Sequence, residues 1–361
     1  SSFIIISVIS SLHFKIIIQL LKKLFNFKDR LLNTGSNSIR KLLRYSCVIV
    51  FLLAACHAAF SQTRFIPFAF GDMDKWINRD VKESFVIGGK TQTLYEIADT
   101  RDGVSPNHAY DNKFSPWATS SVLATINGIT KGSVTVFPEK RGDGFAARLE
   151  TRVERVKVLG ILNINVLASG TIFLGKVAEP ITDTDNPFSK LIMGIPFTGK
   201  PAWLQFDYKV TAGGSSRKIN GLSSNGTATG KADNAIVHVY LQKRWEDKDG
   251  NVYALRIGTG GEIFSQTIND WQKSHRVKIH YGNVSNYGNL PAIFTRLKKG
   301  NDAFYTRNSK GKMVPIHEEG WGSPNNEVTH IILQFSSSDG GPYVGSPQNK
   351  LWVDNVGTVY D

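Results

Sequence analysis

The pattern of apolar and polar positions in this chain is that of β-strands. Residues 202–210 (AWLQFDYKV) alternate strictly between apolar and polar side chains. In an extended strand, Leu204, Phe206, Tyr208 and Val210 therefore lie on one face and the residues between them on the other. This strand is expected to bury one side in a core.

A second segment, residues 235–243, alternates in the same way. Its apolar face carries Val237, Val239 and Leu241. It leads through an Asp-Gly turn within residues 245–251 into residues 252–257. Because Asp-Gly is typical of tight turns between antiparallel strands, the two segments are predicted to form a hairpin.

The remaining pattern predicts an all-β protein. Further strands are predicted over residues 146–153, 156–168, 271–279, 329–335 and 351–359. Residues 72–82 and 266–273 each predict only one or two turns of helix. Strands without intervening helices favour a β-sandwich over a parallel sheet covered by helices, and we expect one domain over residues 65–361. The final strand must pair with strands from much earlier in the chain, as in a jelly roll.

The N-terminal residues differ from this pattern and predict export. Residues 41–61 have the parts of a signal peptide, with Lys41 and Arg44 as its charged region and residues 45–55 as its apolar region. Residues 1–40 are interpreted as an upstream extension outside the mature fold, and a transmembrane helix within them is the alternative.

Two processing sites fit the end of this signal. Small residues before Gln62 fit ordinary cleavage, whereas residues 53–56 (LAAC) fit a lipobox that would leave a lipid anchor on Cys56. Cleavage before Gln62 is favoured, because a lipid on Cys56 would leave a very short tether. Either route places the protein in the periplasm, at the cell surface or outside the cell.

Charge and cysteine content exclude several classes of function. Of the net charge of +13, residues 1–61 carry +7 and the remaining 300 residues carry +6. A body this weakly basic, without a Lys/Arg block among glycines or aromatics, is not typical of nucleic-acid binding. Both cysteines, Cys47 and Cys56, precede the β-rich part, so that part has no disulfide, cysteine nucleophile or thiolate metal site.

Several motifs in one order resemble a single family across nearly all of the chain after residue 65. They are FGDMDKW (70–76), KES (82–84), IGGKT (87–91), SPWATS (115–120), RGDG (141–144), ARLET (147–151), LQKRWEDKDGNVY (241–253), GWG (320–322) and LWVDNV (351–356). The family is the PCMD, or putative carbohydrate metabolism domain, family of exported proteins from glycan-foraging Gram-negative bacteria. The resemblance implies a jelly-roll β-sandwich similar to galactose-binding-type carbohydrate modules, and it supplies no catalytic residues.

Jelly-roll carbohydrate modules often hold a structural calcium ion between the first segment and the closing strand. Asp72 and Asp74 at one end and Asp354 at the other would supply the oxygen ligands that calcium prefers. The alternative is that Asp72 caps a short helix and Asp354 caps the sheet.

Three aromatic residues in Gly-, Pro- or Ser-rich loops are predicted to contact a glycan: Trp117, Trp321 and Tyr343. Exposed rings bind the C–H faces of sugars, while amides and carboxylates bind the hydroxyls. The alternative for Trp321 is a buried ring that closes one end of the sandwich.

The sequence therefore predicts an exported glycan-binding protein, with two alternatives. The first is a glycoside-active enzyme, which needs two facing carboxylates. Its candidates are Glu139, Asp143, Glu150, Asp207, Asp233, Glu318 and Glu319, for which solvated surface positions are the simpler interpretation. The second is a structural protein with partners in the cell envelope. An apolar patch would favour such a partner, and an aromatic surface would favour a glycan.

We expect the exported protein to lack its N-terminal signal. Mass spectrometry of the mature protein should find an N-terminus at Gln62 or a lipidated Cys56. An intact segment over residues 41–55 in that protein would contradict the prediction.

Overall fold

The predicted alternating strands form two β-sheets that pack face to face. The computed structural model describes residues 63–158 and 162–361. Within it, Thr63–Asp361 form one compact unit. The predicted extension, signal peptide and lipid-anchor site at Cys56 lie outside the described residues.

Strands account for nearly all of the regular structure. In chain order they are β1 (Arg64–Pro67), β2 (Trp76–Lys82), β3 (Thr91–Ile97), β4 (Trp117–Thr119), β5 (Val122–Ile126), β6 (Ile129–Ser133), β7 (Val136–Arg141), β8 (Gly144–Glu150), β9 (Arg152–Val158), β10 (Leu162–Ala168), β11 (Thr171–Val177), β12 (Leu191–Met193), β13 (Ile195–Pro196), β14 (Trp203–Thr211), β15 (Gly214–Lys218), β16 (Asn220–Gly221), β17 (Thr227–Asp233), β18 (Ala235–Glu246), β19 (Val252–Phe264), β20 (Ile268–Lys278), β21 (His280–Tyr281), β22 (Tyr305–Arg307), β23 (Met313–Trp321), β24 (His330–Ser336), β25 (Val344–Gly345) and β26 (Lys350–Tyr360). The described helices are one turn of α-helix, α1 (Ala292–Thr295), and 3₁₀ turns at Phe85–Ile87, Pro187–Lys190 and Gly300–Asp302.

The first sheet has the strand order β20-β14-β26-β8-β7, and β1 pairs with β26. The second has the order β12-β11-β24-β18-β19-β23-β22. Strand β26 lies between β14 and β8, and its second half also pairs with β1. The expectation that the last strand pairs with early strands is therefore confirmed.

The core lies between the two sheets. Leu204, Phe206, Tyr208 and Val210 of β14 share one buried cluster with the apolar face of β18. Phe206 meets Phe335 of β24 edge to face, with ring centroids 4.9 Å apart. The all-β prediction and the two alternating faces are confirmed, while the specific jelly-roll topology stays a prediction.

Three local predictions were wrong. Most of residues 72–82 and most of residues 266–273 form strands, β2 and β20, because pairing with neighbouring strands overrides a weak helical pattern. Residues 156–168 do not form one strand. They contribute the end of β9 and the whole of β10, which pair as a hairpin. Separately, no described helix is long and apolar enough to cross a membrane.

A buried arginine holds the β2–β3 hairpin against the rest of the fold. Arg79 of β2 is 2% exposed. It donates hydrogen bonds to Glu96 of β3 at 2.8 Å and to Glu179 at 2.8 and 2.9 Å. Glu179 also accepts from the backbone N–H of Leu123 at 2.7 Å. Burial raises the pKa of Glu96, whereas the positive charge of Arg79 lowers it. Because Arg79 is shared between two buried carboxylates, the effect of burial is the larger, and the pKa of Glu96 rises to about 7.

We expect this carboxyl group to make the protein less stable as pH rises. Its folded-state pKa of about 7 exceeds the ordinary value of 4.5, so the folded protein retains a proton that the unfolded chain releases. The stabilisation is complete below pH 4.5 and is lost as pH rises through 7. The loss is about 1.4 kcal/mol per pH unit between the two pKa values.

Glu96→Gln should flatten this part of the pH profile, as measured by urea unfolding between pH 5 and 8. Glu319→Gln, at an exposed position, is the matched control and should reproduce the wild-type profile. Parallel profiles for wild type and Glu96→Gln would contradict the prediction.

Candidate functional site

The outer face of the second sheet forms the floor of a cavity of about 770 Å³. Alternate residues of β18 point to opposite faces of the sheet, so those next to the core-facing valines point into the cavity. The floor residues are Phe173, Ile236, His238, Tyr240, Gln334 and Ser336. This volume is in the range of sites that bind small molecules.

Two hairpins form the walls. The wall residues from β5 and β6 are Val122, Ala124, Ile126, Ile129, Lys131 and Ser133, which pair directly across the two strands. From β9 and β10 they are Glu154, Val156, Ile164, Val166 and Ala168. Parts of the segments 181–191, 293–304 and 338–343 complete the rim.

His238 is a buried polar group without a partner at the centre of the floor. It is 9% exposed, and its Nε2 has no hydrogen-bond partner among the described residues. Its ring stacks on Tyr240, with centroids 5.0 Å apart and planes inclined by 18°. Burial lowers the pKa of His238 well below 6.5, and the charge of Lys298 lowers it further. The imidazole is therefore neutral at physiological pH.

Other polar groups around His238 are also unengaged. In the part of the chain that the structure describes, no partner contacts the amide of Gln334, the hydroxyl of Tyr240 or the Nζ of Lys298. Burial and the nearby Arg256 lower the pKa of Lys298. Burial raises the pKa of the Tyr240 hydroxyl to about 12, so it stays protonated. Gln334 and Lys298 are half-buried, whereas His238 and Tyr240 are buried. Because buried polar groups normally have partners, this cluster is suited to a polar ligand.

A buried ion pair positions the segment that carries Lys298. Arg256 and Glu318 are 0% and 1% exposed and form a bidentate pair. Arg256 also donates to the carbonyls of Phe294 and Arg296 at 3.2 and 3.0 Å, and Glu318 accepts from the backbone N–H of Lys298 at 2.7 Å. The pair therefore fixes α1 and the following residues against the sheet.

The structure separates the three predicted sugar-binding aromatics. Trp117 lies on β4, is 1% exposed and donates from its indole N–H to the carbonyl of Ala69 at 3.0 Å. Its predicted role as an accessible ring is therefore wrong, because strand pairing draws it into the core. Trp321 ends β23 beside Arg256, 5.3 Å from ring centroid to guanidinium, and does not line the cavity. Tyr343 does line the cavity, and its hydroxyl donates to the carbonyl of Thr184.

The predicted calcium ligands lie near the junction of the first and last segments. That junction exists, since β1 pairs with β26. Asp72 is exposed, and Asp74 accepts from the N–H of Phe145 at 2.7 Å. Asp354 forms an ion pair with Arg141 at 2.5 Å, although burial raises its pKa to about 6. The described residues contain no group of three or more His, Cys, Asp or Glu that could hold a metal. The calcium ion stays a prediction.

Two pairs of carboxylates that share an arginine lie outside the cavity. Asp207 and Asp354 share Arg141, as Glu96 and Glu179 share Arg79. Solvated positions were the wrong interpretation for three of the candidate carboxylates, which are buried: Asp207, Asp233 and Glu318.

Three of the four described carboxylates that line the cavity have partners of their own, and Asp302 is the fourth. Glu154 pairs with Lys131 at 3.4 Å and Asp183 with Lys190 at 2.7 Å. Asp339 accepts from the side-chain amide of Asn234 at 2.8 Å. Lys190 lowers the pKa of Asp183, which keeps that group ionised. An ionised Asp183 is not suited to act as a general acid, which needs a raised pKa.

The aromatic rings on the outer face of the first sheet are covered by cations. Arg141 lies over the ring of Trp271 at 3.9 Å, and Lys209 lies over that of Trp352 at 4.5 Å. Phe137 is covered similarly by an arginine of β8 at 4.7 Å. Because these ring faces are occupied, they offer less surface for stacking a sugar than the cavity does.

Sequence reasoning missed the floor of the cavity. Its signal was in β18, where residues 235–242 (AIVHVYLQ) are almost continuously apolar. Such a run indicates a strand that is covered on both faces, whereas the alternation of its valines alone suggested one buried face. His238 interrupts this run as the most polar of its first seven residues.

Comparison with known proteins connects the chain to carbohydrate metabolism. A family model described as "Putative carbohydrate metabolism domain" matches residues 90–359 and confirms the resemblance found in the sequence motifs. No curated protein matches the chain. A solved structure from Bacteroides thetaiotaomicron, titled as a putative glycoside hydrolase, is 16% identical, with a TM-score of 0.39. The match covers 63% of this chain and 57% of that one, so the chain spans just over half of that structure's length.

We expect Glu318→Ala to destabilise the protein strongly, because it leaves the guanidinium of Arg256 buried without its carboxylate. Loss of one partner of a buried pair costs about 3–5 kcal/mol. The neighbouring Glu319 is exposed, so Glu319→Ala is the matched control and should change stability by less than about 0.5 kcal/mol. Urea unfolding of both variants measures the difference, and equal effects would show that the buried pair has no special role.

Proposed function

Because the chain belongs to the family described as putative carbohydrate metabolism domain, we propose that it is a glycan-binding protein and that the cavity above the second sheet is its binding site. The signal-like residues 41–61 support a role at the cell envelope or outside the cell. The observation that carries the proposal is the buried, unpartnered imidazole of His238 on the cavity floor.

A neutral imidazole is suited to a sugar hydroxyl. It has one N–H donor and one nitrogen acceptor, and a hydroxyl group also donates and accepts. Gln334 lies directly opposite His238 on β24 and adds an amide with both functions. Side chains at such positions are about 5 Å apart, so the two residues can bind neighbouring hydroxyls of one ring.

Aromatic surface surrounds these polar groups. The ring of Phe304 lies 5.5 Å from that of His238 and 6.0 Å from that of Tyr240, centroid to centroid. Lys298 supplies three further donors at the rim. Apolar rings for C–H faces, together with donors and acceptors for hydroxyls, are the combination that sugar binding needs.

Binding without catalysis is the simpler role for this arrangement. Glycosidases require two carboxylates that flank the scissile bond, one of them with a raised pKa. At the cavity, Glu154 and Asp183 are held by lysines and Asp339 accepts hydrogen bonds from Asn234. Asp302 is the one remaining carboxylate of the described cavity lining, so it has no second unengaged carboxylate to work with. The unengaged groups on the floor are an imidazole, an amide and a phenol, which form hydrogen bonds with sugars.

We expect His238→Phe to weaken glycan binding at least tenfold without destabilising the protein. The substitution keeps an aromatic ring on Tyr240 and removes a buried nitrogen that has no partner, so stability should stay equal or rise by about 1 kcal/mol. A glycan array with the purified protein, followed by titration of the best glycan, should show at least a tenfold loss of affinity.

His330→Phe is the matched control. His330 lies on β24, but its Nδ1 already bonds to Thr329 at 2.9 Å and it does not line the cavity. This variant should retain wild-type affinity. Full binding by a folded His238→Phe protein, or no binding of any glycan by wild type, would overturn the proposal.

A further inference from the structure

The two wall hairpins present a chemically different surface from the floor. The cavity-facing positions of β5 and β6 include Val122, Ala124, Ile126 and Ile129, and those of β9 and β10 include Val156, Ile164 and Val166. Cross-strand pairing places these side chains on one face of each hairpin. The surface is aliphatic, with none of the aromatic rings on which sugars stack.

The charged residues among them neutralise each other. Lys131 of β6 forms ion pairs with Glu154 of β9 at 3.4 Å and with Glu83 at 3.2 Å. The bond between Lys131 and Glu154 also connects the two wall hairpins. The walls therefore offer few free polar groups to a ligand, in contrast to the unengaged groups around His238.

A sugar alone does not fit both surfaces. Its hydroxyls would lose their hydrogen bonds to water against the aliphatic walls, which is unfavourable. A hydrocarbon chain alone would leave His238 and Gln334 without partners. A ligand with a sugar at one end and a hydrocarbon chain at the other satisfies both surfaces.

We propose that the ligand is an amphiphilic glycoconjugate, whose sugar binds on the floor and whose aliphatic chain lies between the β5–β6 and β9–β10 hairpins. The sugar end rests on the function proposed above. The proposed position of the aliphatic chain of the ligand has independent support in the aliphatic composition of the two wall hairpins.

The first test is a chain-length series. Methyl, butyl, hexyl and octyl β-D-glucosides and β-D-galactosides are titrated calorimetrically, each below its micelle-forming concentration. Each added methylene should strengthen binding roughly fourfold until the space between the walls is filled. Equal affinities for the methyl and octyl glycosides would overturn the inference.

Neighbouring residues of β9 provide a matched pair of variants. Val156 faces the cavity, whereas Arg155 is exposed on the opposite face of the strand. Val156→Trp should fill the space between the two wall hairpins. It should lower the affinity for the octyl glycoside at least tenfold and leave the affinity for the methyl glycoside unchanged. Arg155→Trp should change neither. Circular dichroism and melting curves verify that both variants fold, and a cavity-face variant that binds the octyl glycoside normally would refute the site.

Octanoate and His238→Phe distinguish the two proposals. If affinity rises with chain length, but octanoate binds as well as the octyl glycoside and His238→Phe has no effect, the aliphatic site stands and glycan recognition fails. If the methyl glycoside binds in a His238-dependent way and chain length has no effect, glycan recognition stands and the inference fails. Absence of binding by every probe would overturn both.

Discussion

Strand β18 must be covered on both faces, because its first eight residues, 235–242, are all buried. One face packs against β14 and β26 in the core between the sheets. The other needs a separate cover, which the hairpins and the segment around α1 provide. Since these covering elements meet the sheet only in part, they leave the cavity between themselves and β18.

Buried ion pairs fix two outlying elements against the rest of the fold. Arg79 connects β2 and β3 to Glu179, and Arg256 connects β19 to the carbonyls at the end of α1. Such pairs contribute little net stability, because desolvation offsets most of their attraction. Their geometry is demanding, however, since each donor needs an acceptor in a fixed direction. They therefore specify position, and through Lys298 the second pair also shapes the cavity rim.

The distribution of free polar groups gives the cavity its chemical character. In the described part of the chain most buried polar groups have partners, including the carboxylates that share an arginine. The cavity floor holds the buried, unpartnered Nε2 of His238, next to walls where Lys131 and Glu154 are paired. A floor that can form hydrogen bonds beside walls that cannot favours ligands with two chemically different ends.

The sequence by itself determined the fold class, the faces of the main strands and the family. Alternation of residues such as Leu204 and Phe206 has a period of two, which is a local property, and it identified the core side of β14 correctly. Family motifs likewise required only the order of residues along the chain. The sequence could not show that Trp117 is buried, because that depends on the pairing of β4 with a distant strand.

The site depended on tertiary structure for the same reason. His238 was visible in the sequence, but its lack of a partner is a property of everything that packs around it. Gln334 lies 96 positions further along the chain and becomes its neighbour only through the register of β18 and β24. Local patterns determine which face of a strand is apolar, and long-range pairing decides what covers that face and which polar groups remain free.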